Sequence, residues 1–326
     1  MIKTPIEKLR NSYADNSVYI KREDMIPYSF GGNKARKGVL FFEDIDRGDY
    51  DTVVTYGSSH SNHCRIIANM AKQRGMDCIL IGPTEVSDET FNSKLMDLLG
   101  ARLIMVPVEK VHDTIENTLE DLKSKGKKPY FIQGGGHGNI GTRAYVECYE
   151  EIVAQEKELG VNFDYIFFAS GTGTTHAGLV VGQLLSLSSE CNSKELDSLE
   201  TKAVKTEASK QIIGISIARQ NPRGRDVVLD SIREYAPDLD ENEIQNKTIF
   251  IDDYVKSGYG LDDGKVSQTI EEILKNEGIP LDVTYTGKAF SGMVDYLKTN
   301  QIKDKNILFI HTGGTPLFFD WLRATE

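Results

Sequence analysis

The chain has 326 residues, of which 39% are hydrophobic and 27% are charged, and its formal net charge at pH 7 is -11. This length suits two domains of roughly 100 to 200 residues each. The negative charge argues against a nucleic-acid partner, whose phosphates require a cationic face. No apolar run approaches the roughly 18 residues of a membrane span, and the N-terminus lacks the pattern of a secretory signal. We therefore expect a cytoplasmic globular protein that does not bind membranes.

Eight short apolar runs alternate with segments long enough for helices. Because these runs lack polar alternation, they predict strands covered on both faces, as in parallel α/β sheets. The predicted strands are 51–56, 77–82, 102–107, 129–133, 164–169, 211–217, 248–252 and 306–312. Glycines at 75 and 100 end two of the predicted helices, 60–75 and 89–100. We expect two open, twisted α/β sheets with helices on both faces, which face each other across a cleft beside a long helix at about 140–159.

Four cysteines, Cys64, Cys78, Cys148 and Cys191, are widely spaced and include no C-x-x-C pair. In a chain without an export signal they predict reduced, buried thiols. The polar segment 186–210 is rich in Ser, Glu and Lys, and it predicts either an extension of the preceding helix or a surface loop.

The turn SGTGTTHAG at 170–178 carries the strongest local chemistry. Gly171 and Gly173 free the backbone N–H groups, three threonines (Thr172, Thr174 and Thr175) add hydroxyls, and a helix follows, which together predict a phosphate site. A dinucleotide fingerprint would require a small residue where His176 stands, and a nucleotide-binding P-loop would require a lysine followed by Ser or Thr. The alternative is a tight turn with capping threonines.

Two further polar loops follow predicted strands. The first, YGSSHSNHCR at 56–65, places hydroxyl and amide groups at a helix N-terminus, which suits a carboxylate. The second, HTGGTP at 311–316, begins the last helix. Because ligands of open α/β sheets bind outside the carboxyl ends of the strands, the three loops predict one shared site. His60, His63 and Cys64 lack further ligands at a metal-binding spacing, so we expect no metal.

Lys34 lies in FGGNKARK, residues 30–37, just before a predicted helix. The positive end of the helix dipole and partial burial both favour a neutral amine, which is the form that attacks an aldehyde. An aldehyde cofactor with one phosphate would satisfy both this lysine and the turn at 170–178, and pyridoxal 5′-phosphate (PLP) fits that description. The alternative is an exposed helix lysine without a special role.

The chain resembles one known family in six stretches that keep the same order, over about residues 5–320. They are KREDMIPYSFGGNKARK (21–37), GSSHSNHCR (57–65), SGTGTTHAGLVVG (170–182), GYG (258–260), YTGKAFSGM (285–293) and HTGGTP (311–316). The family is that of D-cysteine desulfhydrase and 1-aminocyclopropane-1-carboxylate (ACC) deaminase, which are PLP enzymes of the tryptophan synthase β-like fold, type II. The resemblance implies PLP as cofactor, a small amino acid as substrate and a homodimer. We assign residues 1–46 and 156–326 to a large PLP-binding domain and residues 47–155 to a small α/β domain.

The resemblance also implies roles for individual residues. Lys34 resembles the lysine that forms the Schiff base, and Asn62 resembles the amide at the cofactor ring oxygen. Thr315 matches a residue near the pyridine nitrogen, and Tyr259 and Tyr285 match two active-site tyrosines. The remaining matches are Gly171, Thr172, Gly173, Thr174 and Thr175 for the phosphate loop, and Ser61, Asn62 and His63 for the loop that receives the substrate carboxylate.

Three readings of the activity follow. The first is a β-elimination lyase acting on a D-cysteine-like amino acid, with Lys34 or Ser61 handling the Cα proton. Thr286 favours this branch, because ACC deaminases carry a glutamate at the corresponding position after the tyrosine. The second is ACC deamination, β-replacement or racemisation of a specialised amino acid, and the third is a non-catalytic protein that binds PLP or an amino acid. His60, where the family has glutamine, and the longer loop around His137 leave the substrate open.

Overall fold

The structure is a computed structural model that describes residues 2–191, 209–255 and 264–325. Within these ranges the strands are β1 (Ile6–Lys8), β2 (Ser17–Lys21), β3 (Thr52–Tyr56), β4 (Asp77–Pro83), β5 (Arg102–Val106), β6 (Pro129–Phe131), β7 (Tyr165–Ser170), β8 (Gln211–Ser216), β9 (Ile249–Ile251) and β10 (Asn306–Ile310). The α-helices are α1 (Asn33–Ile45), α2 (Asn62–Gln73), α3 (Phe91–Leu98), α4 (Val111–Ser124), α5 (Asn139–Leu159), α6 (Thr174–Cys191), α7 (Arg223–Tyr235), α8 (Glu241–Lys247), α9 (Lys265–Glu277), α10 (Thr286–Thr299) and α11 (Thr315–Ala324).

The strands form two open sheets. The larger has the order β1-β2-β10-β7-β8-β9, and the smaller has the order β5-β4-β3-β6. All pairs are parallel except β1 with β2, which is antiparallel. The predicted α/β class with two open sheets is confirmed. The division of the chain near residues 47 and 155 stays a prediction.

Both faces of each sheet are covered, as the uninterrupted apolar runs predicted. In β7, Ile166 and Phe168 pack with α5, α6 and α7, whereas Phe167 faces the opposite core with α9 and α10. In the smaller sheet, Val53 packs toward α1 and α2, and Val54 packs toward α4 on the other face. Successive residues of one strand therefore enter two different cores, and neither face needs a polar residue.

The sequence pattern did not predict β1 or β2. It expected four strands before the long helix, but the structure has six, so that count was wrong. The reason lies in Lys21 at the end of β2, a fully buried lysine whose Nζ lies 2.5 Å from Glu151 Oε1. Its charge makes the strand look half-exposed in the sequence, because the acid that neutralises it lies 130 residues away.

The start of α1 is held against the loop that follows β10. Asn33 N donates to Thr312 O at 3.0 Å, and Gly31 and Gly32 before it have φ values of +60° and +101°. A Cβ atom would lie 2.4 Å from Asp24 O at Gly31 and 2.6 Å from Thr312 O at Gly32. Only glycine fits this approach, which brings Lys34, two residues after Gly32, to the carboxyl ends of the strands.

The expectations for the cysteines and for the polar segment concern residues that the structure describes only in part. The thiols of Cys64, Cys78 and Cys148 are free and buried, as predicted, whereas the side chain of Cys191 lies outside the described part. Residues 192–208 of the predicted polar segment also lie outside it. Among the described helices, none is long and apolar enough to cross a membrane.

Candidate active site

A cavity of about 490 Å³ lies where the loops of both sheets meet. Its walls combine the start of α1, the loops after β3, β6, β7 and β8, and the residues before α10 and α11. The sequence-predicted residues that line it are Lys34, Ser61, Asn62, His63, Gly171, Thr172 and Tyr285. All the lining residues that the structure describes are neutral or cationic, since none is Asp or Glu. The cavity therefore suits an anionic ligand.

Lys34 occupies one wall of this cavity. Its Nζ donates to Gly135 O at 2.8 Å, and no carboxylate among the described residues pairs with it. Burial, together with the nearby Arg219 guanidinium, lowers the pKa of Lys34 to about 8. About a tenth of the side chain is thus a free amine at pH 7, and the direction of the shift is the one that burial predicted.

The glycine-rich turn after β7 is built around a second lysine. Lys37, one turn along α1 from Lys34, is 1% exposed and donates to Thr174 Oγ1 at 2.7 Å. That is its one hydrogen bond in the described part of the chain, so two of its three N–H donors stay available. Burial and Lys34 lower the pKa of Lys37 well below its ordinary value. Such a cation, beside an N–H-rich turn at the start of α6, marks an anion site.

Gly173 and Thr175, two further residues of the turn, are held by different contacts. Gly173 has a φ of +100°, and a Cβ there would lie 3.1 Å from a methyl of Val227. Thr175 is buried, and its Oγ1 accepts from Asn33 Nδ2 at 3.1 Å. The turn is thus tied to the start of α1 through Thr174 and Thr175, while Gly171 and Thr172 line the cavity itself.

The orientation of Asn62 follows from its hydrogen bonds. Its Oδ1 accepts from Arg65 Nη2 at 3.2 Å and from Asn92 Nδ2 at 2.9 Å. Because the oxygen is occupied by two donors, the Nδ2 group is the one available to the cavity. Arg65 is fully buried, has no carboxylate partner in the described residues, and its pKa is lowered to about 9 by burial. Asn62 can therefore donate to an anionic oxygen.

Ser61 and His63 open α2 beside it. Ser61 caps the helix, with its Oγ accepting from Cys64 N at 3.1 Å, so its hydroxyl hydrogen remains free to donate. Thr55 Oγ1 donates its single hydrogen to Ile132 O, and His63 Nε2 must therefore carry the proton of the 2.9 Å contact with Thr55 Oγ1. Burial, with Lys34 and Lys37 nearby, lowers the pKa of His63 well below its ordinary value. The neutral ring therefore keeps Nδ1 as an acceptor.

Tyr285 lines the opposite wall and is positioned by a buried carboxylate. Asp282 Oδ1 accepts from Tyr285 N at 2.7 Å, and Asp282 Oδ2 accepts from Thr286 Oγ1 at 2.7 Å. Thr286 Oγ1 in turn accepts from Asp282 N. The start of α10 is thus closed by hydrogen bonds in which Thr286 is fully engaged.

The remaining predicted residues are placed as follows. Tyr259 lies outside the described residues. Thr315 is the first residue of α11, and on this side it is Thr312 that lines the cavity. His137 lines the cavity and contacts Thr172 O through Nδ1 at 3.1 Å. His60 is absent from the lining, and its ring lies 3.9 Å from Asp88.

Sequence reasoning missed three cations: Lys37, Arg65 and Arg219. Arg219 follows β8, lines the cavity, and has a buried Nη1 without a hydrogen-bond partner. Lys37 is part of FGGNKARK and Arg65 is part of GSSHSNHCR, so both lie in stretches that the sequence singled out. What identifies them is the absence of an acid near each in the described fold, which no local pattern reveals.

Comparison with known proteins agrees with this geometry. A family model described as "Pyridoxal-phosphate dependent enzyme" matches residues 1–313. A D-cysteine desulfhydrase of Yersinia enterocolitica is 34% identical over 328 residues, covering 97% of this chain and 92% of its own. One from Serratia proteamaculans is 34% identical over 331 residues, with the same coverage. The crystal structure of an ACC deaminase homologue matches with a TM-score of 0.80 and 32% identity, covering 100% of this chain and 94% of that one.

Proposed function

The chain belongs to the family of pyridoxal-phosphate dependent enzymes, and on this premise we propose that it catalyses β-elimination on a small, D-cysteine-like amino acid. The products from D-cysteine would be pyruvate, ammonium and hydrogen sulfide, formed with one water. The observation that carries the proposal is the cavity that joins Lys34 to the turn at 171–175, with buried Lys37 beside that turn and no acid near it in the described residues.

The residues present fit PLP. Lys37, the N–H groups of 171–175 and the start of α6 would hold the phosphate, and Asn62 Nδ2 would donate to the ring oxygen. We assign Thr315 to the pyridine nitrogen, as the resemblance implies. When bound, PLP supplies an aldehyde for the Lys34 amine and a conjugated ring that stores the electron pair released at Cα.

Lys34 is the proposed acid–base group. An amine with a pKa of about 8 is partly neutral near pH 7, and it accepts a proton without a large energetic cost. Ser61, with its free hydroxyl hydrogen, would relay that proton or bind the substrate carboxylate together with the first N–H groups of α2. His63 is unsuited to donate from Nδ1, because its single proton is on Nε2.

Position 286 supports the desulfhydrase branch. Thr286 is fully buried and both donates to and accepts from Asp282. A glutamate here would place a second carboxylate against Asp282, so a D-cysteine desulfhydrase-like activity fits this helix start better than an ACC deaminase-like one. Tyr285 lines the cavity beside it and would orient the substrate or its leaving group, and we propose the same for Tyr259.

The setting of the enzyme is also a proposal. Three buried free thiols, with no disulfide among the described cysteines, support a reducing compartment such as the cytoplasm. A homodimer is supported by the family resemblance, and sedimentation of the purified protein would test it.

The test is product analysis of the purified holoenzyme. D-cysteine, L-cysteine, β-chloroalanine, diaminopropionate and ACC would be offered separately, with keto acid and sulfide measured. We expect pyruvate and sulfide from D-cysteine, loss of turnover in Lys34→Ala, and a borohydride-fixed adduct on the tryptic peptide that contains Lys34. Turnover of ACC to 2-oxobutyrate without reaction of D-cysteine would refute the proposed reaction, and absence of the adduct would refute the role of Lys34.

A further inference from the structure

Arg219 is the one cavity cation that the proposed function leaves without a task. Lys37 binds the phosphate in that proposal, and Lys34 is the acid–base group. Arg65 donates to Asn62 Oδ1 and so orients that amide. The substrate carboxylate is assigned to the start of α2. Each anion of a D-cysteine complex thus has its receptor, yet Arg219 still faces the same cavity.

The contacts of Arg219 indicate that its side chain is available to bind an anion. Its Nη1 is buried and makes no hydrogen bond with the described residues, which is an unfavourable state for a buried donor. Its backbone carbonyl is fixed by Ser216 Oγ at 2.6 Å, which ties the residue to the end of β8. An arginine that is held in place, lines a cavity and keeps an unused donor is a ready receptor for an anion.

Arg219 lines the cavity together with Lys34 and with Tyr56 of the smaller sheet. Its charge lowers the pKa of Lys34, and Lys37 and Arg219 both lower that of His137. Tyr56, on the smaller sheet across the cavity, raises the pKa of Arg219 in turn. Arg219 therefore lies in the same cavity as the reactive amine and the residues that the smaller sheet contributes.

Building on the proposed function, we propose that Arg219 is a specificity residue that binds a negative charge on the β substituent of the substrate. The preferred substrates would then be amino acids whose β leaving group already carries a negative charge, such as a phosphate ester, a sulfate ester or a sulfonate. For O-phosphoserine, the Cα–H and Cβ–O bonds break and a Cα=Cβ bond forms. The proton passes to Lys34, the C–O electron pair leaves with phosphate, and one water releases pyruvate and ammonium without any redox change.

The first experiment compares substrates in matched variants of the holoenzyme. The value of kcat/KM would be measured for O-phospho-D-serine, its L enantiomer and β-chloro-D-alanine. We expect Arg219→Gln to lower the ratio of anionic to neutral substrate at least tenfold. Arg223→Gln is the control, because Arg223 is exposed and does not line the cavity, although its charge also lowers the pKa of Arg219. It should change the ratio by less than about threefold.

A second measurement uses the unmodified holoenzyme, so it does not depend on folding of the variant. Succinate and butyrate have the same length and differ by one carboxylate, and their dissociation constants would be compared by calorimetry. We expect succinate to bind at least tenfold more tightly. Equal binding of the two acids, or an unchanged substrate ratio in Arg219→Gln, would overturn the proposal.

Three other outcomes are distinguishable. If Arg219→Gln weakens PLP binding while the substrate ratio stays constant, Arg219 serves the cofactor phosphate and the proposal is wrong. If the wild-type enzyme eliminates from D-cysteine and β-chloroalanine but not from either phosphoserine, the specificity proposal fails and the proposed function stands. If none of these compounds reacts, the proposed function itself fails.

Discussion

Helix α1 lies between two groups of charges that differ in one respect. On one side Arg36, together with Lys21, meets Glu23 and Glu151 in a buried ion cluster of two cations and two carboxylates. On the other side lie the unpaired cations, Lys34, Lys37, Arg65 and Arg219, with no carboxylate partner in the described chain. Arg36 and Lys37 are adjacent in sequence and nearly equal in burial, at 4% and 1% exposed.

The presence or absence of an acid partner indicates whether a buried cation stabilises the fold or binds a ligand. A buried cation with its acid is neutralised and contributes to a single packed arrangement, as in the buried ion cluster. A buried cation without an acid is a cost to folding unless something else supplies the negative charge. Lys34 and Arg219 line the cavity, whereas Arg65 donates to its lining residue Asn62 and Lys37 donates to Thr174 of the glycine-rich turn. The missing charge is therefore that of a ligand. Burial alone would have grouped Arg36 with Lys37.

The largest expected effect comes from breaking the buried ion cluster. Glu23 accepts from Thr4 Oγ1, Tyr145 OH, and Arg36 Nε and Nη2. Against the effect of burial, mainly Arg36, with Lys21 and Thr4, lowers the pKa of Glu23 to about 2. Glu23→Gln would leave Arg36 partly uncompensated, and we expect it to lower the free energy of unfolding by about 3 to 5 kcal/mol. Urea denaturation at pH 7 would measure this.

The matched control for that change is Glu147→Gln. Glu147 forms an exposed pair with Arg143 at 3.0 Å, four residues earlier on α5. Its loss should cost less than about 0.5 kcal/mol. Equal destabilisation by the two substitutions would show that burial of the ion cluster does not determine its contribution. Because the pKa of Glu23 is lowered in the fold, its contribution is present above the ordinary pKa and is lost as pH falls toward about 2.

The next effect concerns the pH dependence of the cofactor-free protein. The pKa of Lys34 falls from 10.5 to about 8 in the fold, so between these values the unfolded chain holds a proton that the folded chain has released. Stability should therefore rise from pH 8 to 10.5, by at most about 3 kcal/mol from this group. The measurement is thermal unfolding of wild type and Lys34→Met across this range.

The comparison with Lys34→Met is necessary because other buried groups lower the stability of the protein as the pH rises. Burial raises the pKa of Cys64 to about 11 and those of Cys78 and Cys148 to about 12, and these thiols lose stability as pH rises. The difference between the two proteins cancels the contributions of Cys78 and Cys148, whereas Cys64 interacts with Lys34 and is part of the measured difference. A difference that is constant from pH 8 to 10.5 would contradict the lowered pKa of Lys34.

How much the sequence predicted follows the same distinction. Eight strands, the long helix and the three ligand loops were predictable, because their signals are local: apolar runs, glycines and helix starts. β2 was missed because Lys21 is neutralised by Glu151, far away in sequence. Lys37 and Arg65 were missed as site residues for the converse reason, since their significance lies in partners that are absent. Local pattern shows that a charge exists, but only the fold shows whether it is paired.

The last prediction sets Lys37 directly against Glu23. Lys37→Met replaces the cation with an apolar side chain of similar length, so it removes the cost of burying an unpaired charge. It gives up two contacts of Nζ, the hydrogen bond to Thr174 Oγ1 at 2.7 Å and the contact with the Tyr145 ring at 5.6 Å, each worth about 1 kcal/mol, and the relieved burial of the charge offsets them. We expect the cofactor-free variant to be as stable as wild type within about 1 kcal/mol, or more stable, in the same urea denaturation.

The same substitution should weaken PLP binding, because it removes a charged hydrogen bond to the phosphate worth about 1.5 to 3 kcal/mol, or roughly 10- to 150-fold in the dissociation constant. Titration of the cofactor-free protein, followed by absorbance, would measure this. Lys72→Met is a suitable control, since it removes an exposed lysine on α2 and should change neither quantity. If Lys37→Met instead destabilised the cofactor-free fold as much as Glu23→Gln, Lys37 would have a structural partner, and the absence of a nearby acid would no longer identify a ligand site.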